Sequence, residues 1–362
     1  MRINNLTLRK FRNIDFCELE FPKNLNIFVG DNGQGKTNLI ESIVYLSSAR
    51  SFRVSDDKVL IQHNEPFCEI SALVRRKEDQ SRIRFVLSDA GKYLTLNNQV
   101  TKRLSTLMGL CNVVLFNPDD LNFFTYAPRR RRREIDFEMG KLSQNYVEHL
   151  SRAAKLLNER NAYLKQSVYD ADYLGVLSQE LASVSAVIMK QRYEFVLRLQ
   201  ELITQHYQFL SDREDIITFE YKSPVPISNT LEEDLLKKMM DSLQRDRDFR
   251  LTHVGIHRDD FILKINDVPV VEVSSQGQRR MLMLAFKFAI VDLIHEKRSM
   301  YPILCLDDLF SELDETRRVR VMELIHVDMQ VFISTTDLSF INTQRDRDVF
   351  RLIEGYVQKE VI

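Results

Sequence analysis

Apolar positions Leu25, Ile27, Phe28 and Val29 fall almost side by side, and Leu39, Ile40, Ile43, Val44 and Leu46 then recur at steps of three and four. The first run predicts a short buried strand and the second a helix, joined by a polar loop. Ahead of them, Ile3, Leu6 and Leu8 open a strand, which Phe11-Arg12-Asn13 turns into a second one carrying Phe16, Leu19 and Phe21. Between residues 67 and 100 the period drops to two, through Ile70, Ala72 and Val74, then Ile83, Phe85 and Leu87, then Tyr93 and Leu96. That alternation predicts an antiparallel meander, with Asn97-Asn98 as a tight turn because asparagine tolerates positive φ. Pro118 stops the strand that ends at Leu115 and Phe116.

Residues 146–210 return to helical spacing, through Val147, Leu150, Ala154 and Leu157, then Leu177, Leu181, Val184 and Ile188, then Phe195, Leu199 and Leu202. The apolar heptad pattern is too short for an extended coiled coil, so a compact helical lobe is expected. Ser223-Pro224-Val225-Pro226 breaks it, and residues 231–243 supply one more amphipathic helix. Strand pattern resumes at Phe261-Ile262-Leu263-Lys264-Ile265, which Asn266-Asp267 turns back through Val270, Val271 and Val273. A helix follows with Met281, Leu284, Ala285, Phe288 and Ala289 on one face. An apolar strand from Tyr301 to Leu306, a helix through Val319, Met322 and Ile325, and a strand Val331-Phe332-Ile333 complete the pattern.

At 362 residues the chain exceeds the roughly 250–300 residues that one core usually supports, so two lobes or a large insertion are expected. The boundaries fall at residues 1–125, 126–250 and 251–362, the first and last being halves of one head and the middle segment the inserted lobe. Apolar residues make up 44% and charged residues 28%, a globular balance, and the net charge of −1 leaves any polyanion binding to local patches. Four scattered cysteines without a C-x-x-C pair predict neither disulfides nor zinc and fit a reduced cytosol. No signal peptide or membrane span is expected.

Candidate chemistry gathers at the ends of these elements. Gly30-Asp31-Asn32-Gly33-Gln34-Gly35-Lys36-Thr37 fits G-x-x-x-x-G-K-[ST] between the predicted strand and helix. Its glycines let backbone N–H groups face phosphates, Lys36 reaches the β- and γ-phosphates, and the Thr37 hydroxyl takes a position on Mg²⁺. Arg12, at the neighbouring hairpin, either touches the nucleotide or is a solvated surface arginine. The strand ending in Asp307-Asp308 puts two carboxylates where Mg²⁺ can receive them. Asp307 would hold the metal, and Asp308 would orient or deprotonate the attacking water or else cap the next turn. Ser274-Ser275-Gln276-Gly277-Gln278-Arg279-Arg280 opens a helix with a serine cap, a second anion-binding helix start. Ser334-Thr335-Thr336-Asp337 ends the last strand, and a polar residue there sits where a γ-phosphate sensor belongs. Arg129-Arg130-Arg131-Arg132-Arg133 is either a phosphate-facing patch or a helix start paired with Glu134, Asp136 and Glu138. Five successive helical residues point all round the axis, so one or two of them should be structural.

The order of phosphate loop, S-x-G-Q segment, acidic strand end, Ser311-Glu312-Leu313-Asp314 and polar strand end resembles the ATP-binding-cassette ATPase heads of the structural-maintenance-of-chromosomes class. Within that class the chain resembles the RecF family of recombination mediators along essentially its whole length. The match rests on Phe11-Arg12-Asn13, the phosphate loop, Phe116-Asn117-Pro118-Asp119-Asp120-Leu121, Gly255-Ile256-His257-Arg258-Asp259-Asp260 and Ser274 to Arg280. The resemblance implies an α/β fold: an ATPase head with mixed and antiparallel sheets around the phosphate loop, plus an inserted compact α-helical lobe. It implies ATP and Mg²⁺ as ligands, with Asn117 in the Q-loop position where many relatives carry glutamine. It also implies an ATP-dependent homodimer in which Ser274, Gly277 and Gln278 of one chain cap the γ-phosphate held by Lys36 of the other. The partners implied are double-stranded DNA and single-strand/double-strand junctions, RecR acting with RecO, and RecA, which is loaded at gaps. Asp308 stands where the wider class usually has glutamate, and Thr336, or its neighbour Thr335, occupies the place of the histidine switch, so the resemblance implies slow hydrolysis. A transporter's energising subunit and a long-armed chromosome-organising ATPase share parts of this plan. The large helical insertion and the short heptad run, respectively, disfavour them.

Overall fold

The computed structural model describes residues 1–101, 104–107, 109–166 and 170–360. Positions 167–169, inside the expected helical stretch, and 361–362, at the end of the expected last segment, lie outside the described residues. The chain divides into two compact units: residues 1–120, 209–212 and 283–362 form one, and residues 121–208 and 213–282 the other. The second boundary falls between Leu282 and Met283, inside the helix Gln276–Arg298, rather than near residue 250. The physical reason is strand pairing, since Ile217–Lys222 pairs antiparallel with Asp260–Ile265 and keeps both segments in the second unit.

The first unit contains two six-stranded sheets. One is the predicted antiparallel meander, in the order Ile14–Glu20, Arg2–Phe11, Phe67–Arg76, Asp79–Ser88, Gly91–Leu96, Gln99–Thr101. Its last turn is made by Asn97 and Asn98 at φ of 49° and 66°, the left-handed pair that a tight hairpin needs. The other sheet runs Tyr356–Glu360, Arg347–Ile353, Leu25–Val29, Val331–Thr335, Ile303–Asp307, Val113–Phe116, all parallel except the edge hairpin. Its three central strands are buried at every position, which is why they read as continuous apolar runs. Phe21, Phe28, Phe332 and Phe350 form an aromatic cluster with centroids 4.9–6.4 Å apart. The core that contains them also takes in Leu39, Ile40 and Ile43 of the helix Lys36–Ser48 and the inner face of the antiparallel sheet.

The second unit carries the helices Pro128–Leu142, Gln144–Tyr163, most of the 41-residue Ala171–Ser211, Leu231–Asp241 and Leu243–Phe249, together with a three-stranded sheet. The hairpin expected to run through Val273 is cut short: its return strand is Val268–Pro269, and Val270–Val273 is a helical turn. Proline lacks the N–H a ladder requires, so pairing ends there. No described helix is long and apolar enough to cross a membrane.

Candidate functional site

The strand Leu25–Val29 delivers the chain into the loop, and the helix Lys36–Ser48 leaves it with Gly35 as N-cap at φ 109°. A side chain there would be strained, and a Cβ would also meet Asn13 Oδ1 at 2.9 Å. At Gly30 the constraint is close approach, since a Cβ would sit 2.6 Å from the Leu352 carbonyl oxygen. Asp31, Asn32 and Gly33 are exposed at the loop tip, whereas Lys36 is 6% exposed. Its ammonium donates to the carbonyls of Gly30 at 2.6 Å and Asp31 at 2.8 Å. Burial pulls the Lys36 pKa down, and Asp308, Asp307 and Asp31 act against that through space. The loop thus holds a cation whose partners are backbone dipoles rather than a neutralising carboxylate, an arrangement suited to an incoming anion.

The neighbouring strand ends complete the cluster. Thr37 Oγ1 donates to Asp307 Oδ1 at 3.1 Å, and Ser334 Oγ donates to the same oxygen at 2.6 Å. Burial pushes the Asp307 carboxyl up, opposed by these two hydrogen bonds. Parallel pairing of Leu306 with Phe116 brings Asn117 out of the sheet beside Asp307. Asn117 is buried, and its side-chain oxygen has no hydrogen-bond partner among the described residues. Hydroxyl, carboxylate and amide oxygen are the hard donors that Mg²⁺ selects. Among the described residues no group of three His, Cys, Asp or Glu gathers to cage a metal.

Asp308, half-buried, sits at φ 50° with its N–H donating to Ser334 Oγ at 2.9 Å. Ser311 Oγ donates to its carboxylate at 3.0 Å, so the side chain is oriented although the backbone is strained. Of the two threonines at the next strand end, Thr335 is buried and its hydroxyl donates to the Asp337 carbonyl at 3.0 Å. Thr336 is partly exposed, one residue past the Thr335–Val29 pair and hence level with Gly30.

The Arg12 guanidinium makes a two-pronged pair with the buried Glu41, at 3.0 and 2.9 Å. Ser51 Oγ donates to the same carboxylate at 2.5 Å. Arg53, which no motif singles out, donates to Asn38 on the first turn of the helix at 2.8 Å, and its charge lowers Asp307. An arginine fifteen residues past that asparagine, in an irregular segment, carries no local signal of the proximity.

In the second unit the S-x-G-Q segment caps its own helix. Ser275, not Ser274, is the capping residue: Gln278 N–H donates to Ser275 Oγ at 3.2 Å, and Ser275 N–H donates back to Gln278 Oε1 at 2.9 Å. Ser274 Oγ donates to the Val270 carbonyl and accepts from Arg279 Nε at 3.0 Å. Gly277 is partly exposed.

The arginine run begins the helix Pro128–Leu142, with Pro128 at its first position. Arg131 makes a two-pronged pair with Asp260 at 2.9 and 2.6 Å, and Arg132 donates to the Asp259 carbonyl. Arg129, Arg130 and Arg133 are exposed, Arg130 lying 3.6 Å over the Tyr126 ring. Asp259 is fully buried and also receives Arg192 at 2.6 Å and the Tyr221 hydroxyl. Burial pushes its carboxyl up to about 6 against the pull of Arg192 and Tyr221. The Asp260 carboxylate and the Asp259 carbonyl therefore hold two arginines of the run in place.

A family model described as the RecF/RecN/SMC N-terminal domain matches residues 2–354. The DNA replication and repair protein RecF of Enterococcus faecalis is 36% identical over 371 residues, covering 99% of both chains. That of Halalkalibacterium halodurans is 35% identical over 370 residues, covering 99% of this chain and all of the relative. Among solved structures, the recombination mediator protein RecF with ATP superposes with a TM-score of 0.92 at 30% identity, covering 99% of each chain. A chromosome-maintenance head bound to the winged-helix domain of ScpA, at 18% identity and a TM-score of 0.58, shares the fold alone; 99% of this chain and 97% of that one are covered.

Proposed function

The chain belongs to the RecF family, with the ATPase-head fold of the RecF/RecN/SMC group, and from that premise we propose that it is an ATP-gated, DNA-binding dimer of replication and repair. The observation that carries this reading is the buried Lys36 ammonium, held by carbonyls alone beside the Thr37–Asp307 pair. Lys36 and the loop N–H groups would hold the triphosphate. Thr37, Asp307 and Asn117 would hold Mg²⁺, and the chemistry supplied by that ion when bound is charge neutralisation on the phosphates. Asp308 would orient the attacking water, and Thr336 would meet the γ-phosphate from the adjacent strand end. Arg12 stands as a support of the site through Glu41. Ser274, Gly277 and the Gln278 helix start of a second copy would close over the phosphates.

Arg129, Arg130 and Arg133 are the members of the basic run able to face duplex DNA, since Arg131 and Arg132 are engaged internally. In this reading the dimer assists RecA loading at gaps together with RecO and RecR. The short Asp308 side chain makes hydrolysis slow, so that ATP works mainly as a clamp.

Sedimentation with and without MgATP and a short duplex tests the proposal. The expected result is a doubling of mass with MgATP, and a Ser274→Arg variant that binds nucleotide but stays single. A lone particle at saturating MgATP and duplex overturns it. Turnover without DNA is expected below about one per second, under the median enzyme rate; many per second would remove the clamp.

A further inference from the structure

The turn Glu354-Gly355, which joins the last two strands, lies against the phosphate loop although it belongs to none of the recognised motifs. Gly355 N–H donates to the Gln34 carbonyl at 3.1 Å, and Asn13 Nδ2 donates to the same oxygen at 3.3 Å. Glu354 N–H donates to Gln34 Oε1. Asn13 Oδ1 accepts in turn from Asn38 Nδ2 at 2.8 Å, on the first turn of the helix that follows the loop. Packing leaves no slack, since a Cβ on Gly355, at φ 84°, would lie 2.2 Å from the Asn13 carbonyl oxygen.

The Gln34 carbonyl and the Gly35 N–H belong to one peptide unit. That unit is planar and trans, so its C=O and N–H point in opposite directions. Two donors on one side of the loop therefore set the direction of a donor on the other. We propose that Asn13 and the turn Glu354-Gly355 are positioning elements of the anion site: they hold the Gln34-Gly35 peptide so that the Gly35 N–H is aimed at a bound phosphate. None of the three residues need touch the ligand. The proposal rests on the reading of residues 30–37 as a triphosphate site and adds the C-terminal hairpin to it.

The test is titration of MgATP, by calorimetry or a fluorescent analogue, against wild type, Lys36→Met, Asn13→Ala, Asn13→Asp and Gly355→Ala. Asn13→Ala is expected to weaken binding roughly 5- to 10-fold, the range for losing one or two ordinary hydrogen bonds. Asn13→Asp keeps the acceptor for Asn38 but sets a carboxylate against the Gln34 carbonyl, so it should be weaker than Asn13→Ala. Gly355→Ala, which pushes on Asn13 from the hairpin side, should also bind more weakly than wild type. The ligand-free melting temperature separates positioning from support of the fold: it should stay within about 2 °C of wild type for both Asn13 variants, a small shift for a chain of this size. In turnover, KM should rise while kcat stays within about twofold, because the reacting atoms are untouched. Wild type that binds while Lys36→Met does not, with both Asn13 variants folded and binding like wild type, overturns this proposal alone. Wild type that binds no better than Lys36→Met overturns the underlying reading with it.

Discussion

Two of the buried cations among the described residues, Arg192 and Lys36, are held in opposite ways. Arg192, 2% exposed, is matched at every side: Asp136 at 2.8 and 2.9 Å, Asp259 at 2.6 Å, the Ile256 carbonyl at 3.0 Å and the Tyr146 hydroxyl at 3.1 Å. Lys36, scarcely more exposed, is held by two carbonyls. A charge withdrawn from water normally demands an opposite charge, and Arg192 obeys that rule. At Lys36 the compensation is partial, which leaves attraction for a ligand to supply. In the proposed reading, the neutralised charge supports the fold and the one left to dipoles receives the phosphates.

The comparison can be broken in a definite order. Arg192→Met should destabilise the second unit by about 3–5 kcal/mol in denaturant titration, because Asp259 and Asp136 are left without their cation. Lys36→Met should leave the fold nearly as stable as wild type yet weaken MgATP binding by about 100-fold or more, because a desolvated site then has no cation to offer the phosphates. Equal stability losses in the two variants would erase the distinction. Charge removal at Arg129, Arg130 and Arg133 should weaken duplex binding and lower the slope of log affinity against log salt by about 0.9 for every phosphate no longer neutralised. The same change at Arg131 should instead lower stability, since Asp260 loses its partner.

The smallest effect is a pH dependence. Asp259 has a folded pKa of about 6, above its ordinary 3.8, so the folded state holds that proton longer than the unfolded chain. Its contribution is complete below the unfolded value and lost as pH rises through about 6. The stability advantage of wild type over Asp259→Asn, measured in denaturant, should therefore shrink between about pH 4 and pH 7 and level off above.

Much of the first unit was legible because its elements carry their own period. The strand before the phosphate loop, the meander and the acidic strand all announce themselves through burial, and Asn97-Asn98 announces its turn through φ, as Asn266-Asp267 does in the second unit. What escaped reading depends on pairing across distance. Glu41 is the partner of Arg12 from 29 residues away, and Gly355 reaches Gln34 from the far end of the chain. Neither carries a local signal, since a lone glutamate on a helix and a glycine in a turn have many uses. Val270 to Val273 departs from its expected strand because four residues cannot separate a period of two from a helical turn, and Pro269 decides it. The arginine run divides only through Asp259 and Asp260, which claim two of its members from 127 and 129 residues away.

Asp308 sits on a left-handed backbone, with its carboxylate accepting a hydrogen bond from the nearby Ser311 hydroxyl. Lengthening it to glutamate for better reach would move the carboxylate away from the Ser311 hydroxyl that orients it. Glycine there would relax the turn and erase the carboxylate in the same stroke. The turn thus ties the reach of this carboxylate to its backbone, and in the proposed reading any change of residue here would alter both at once.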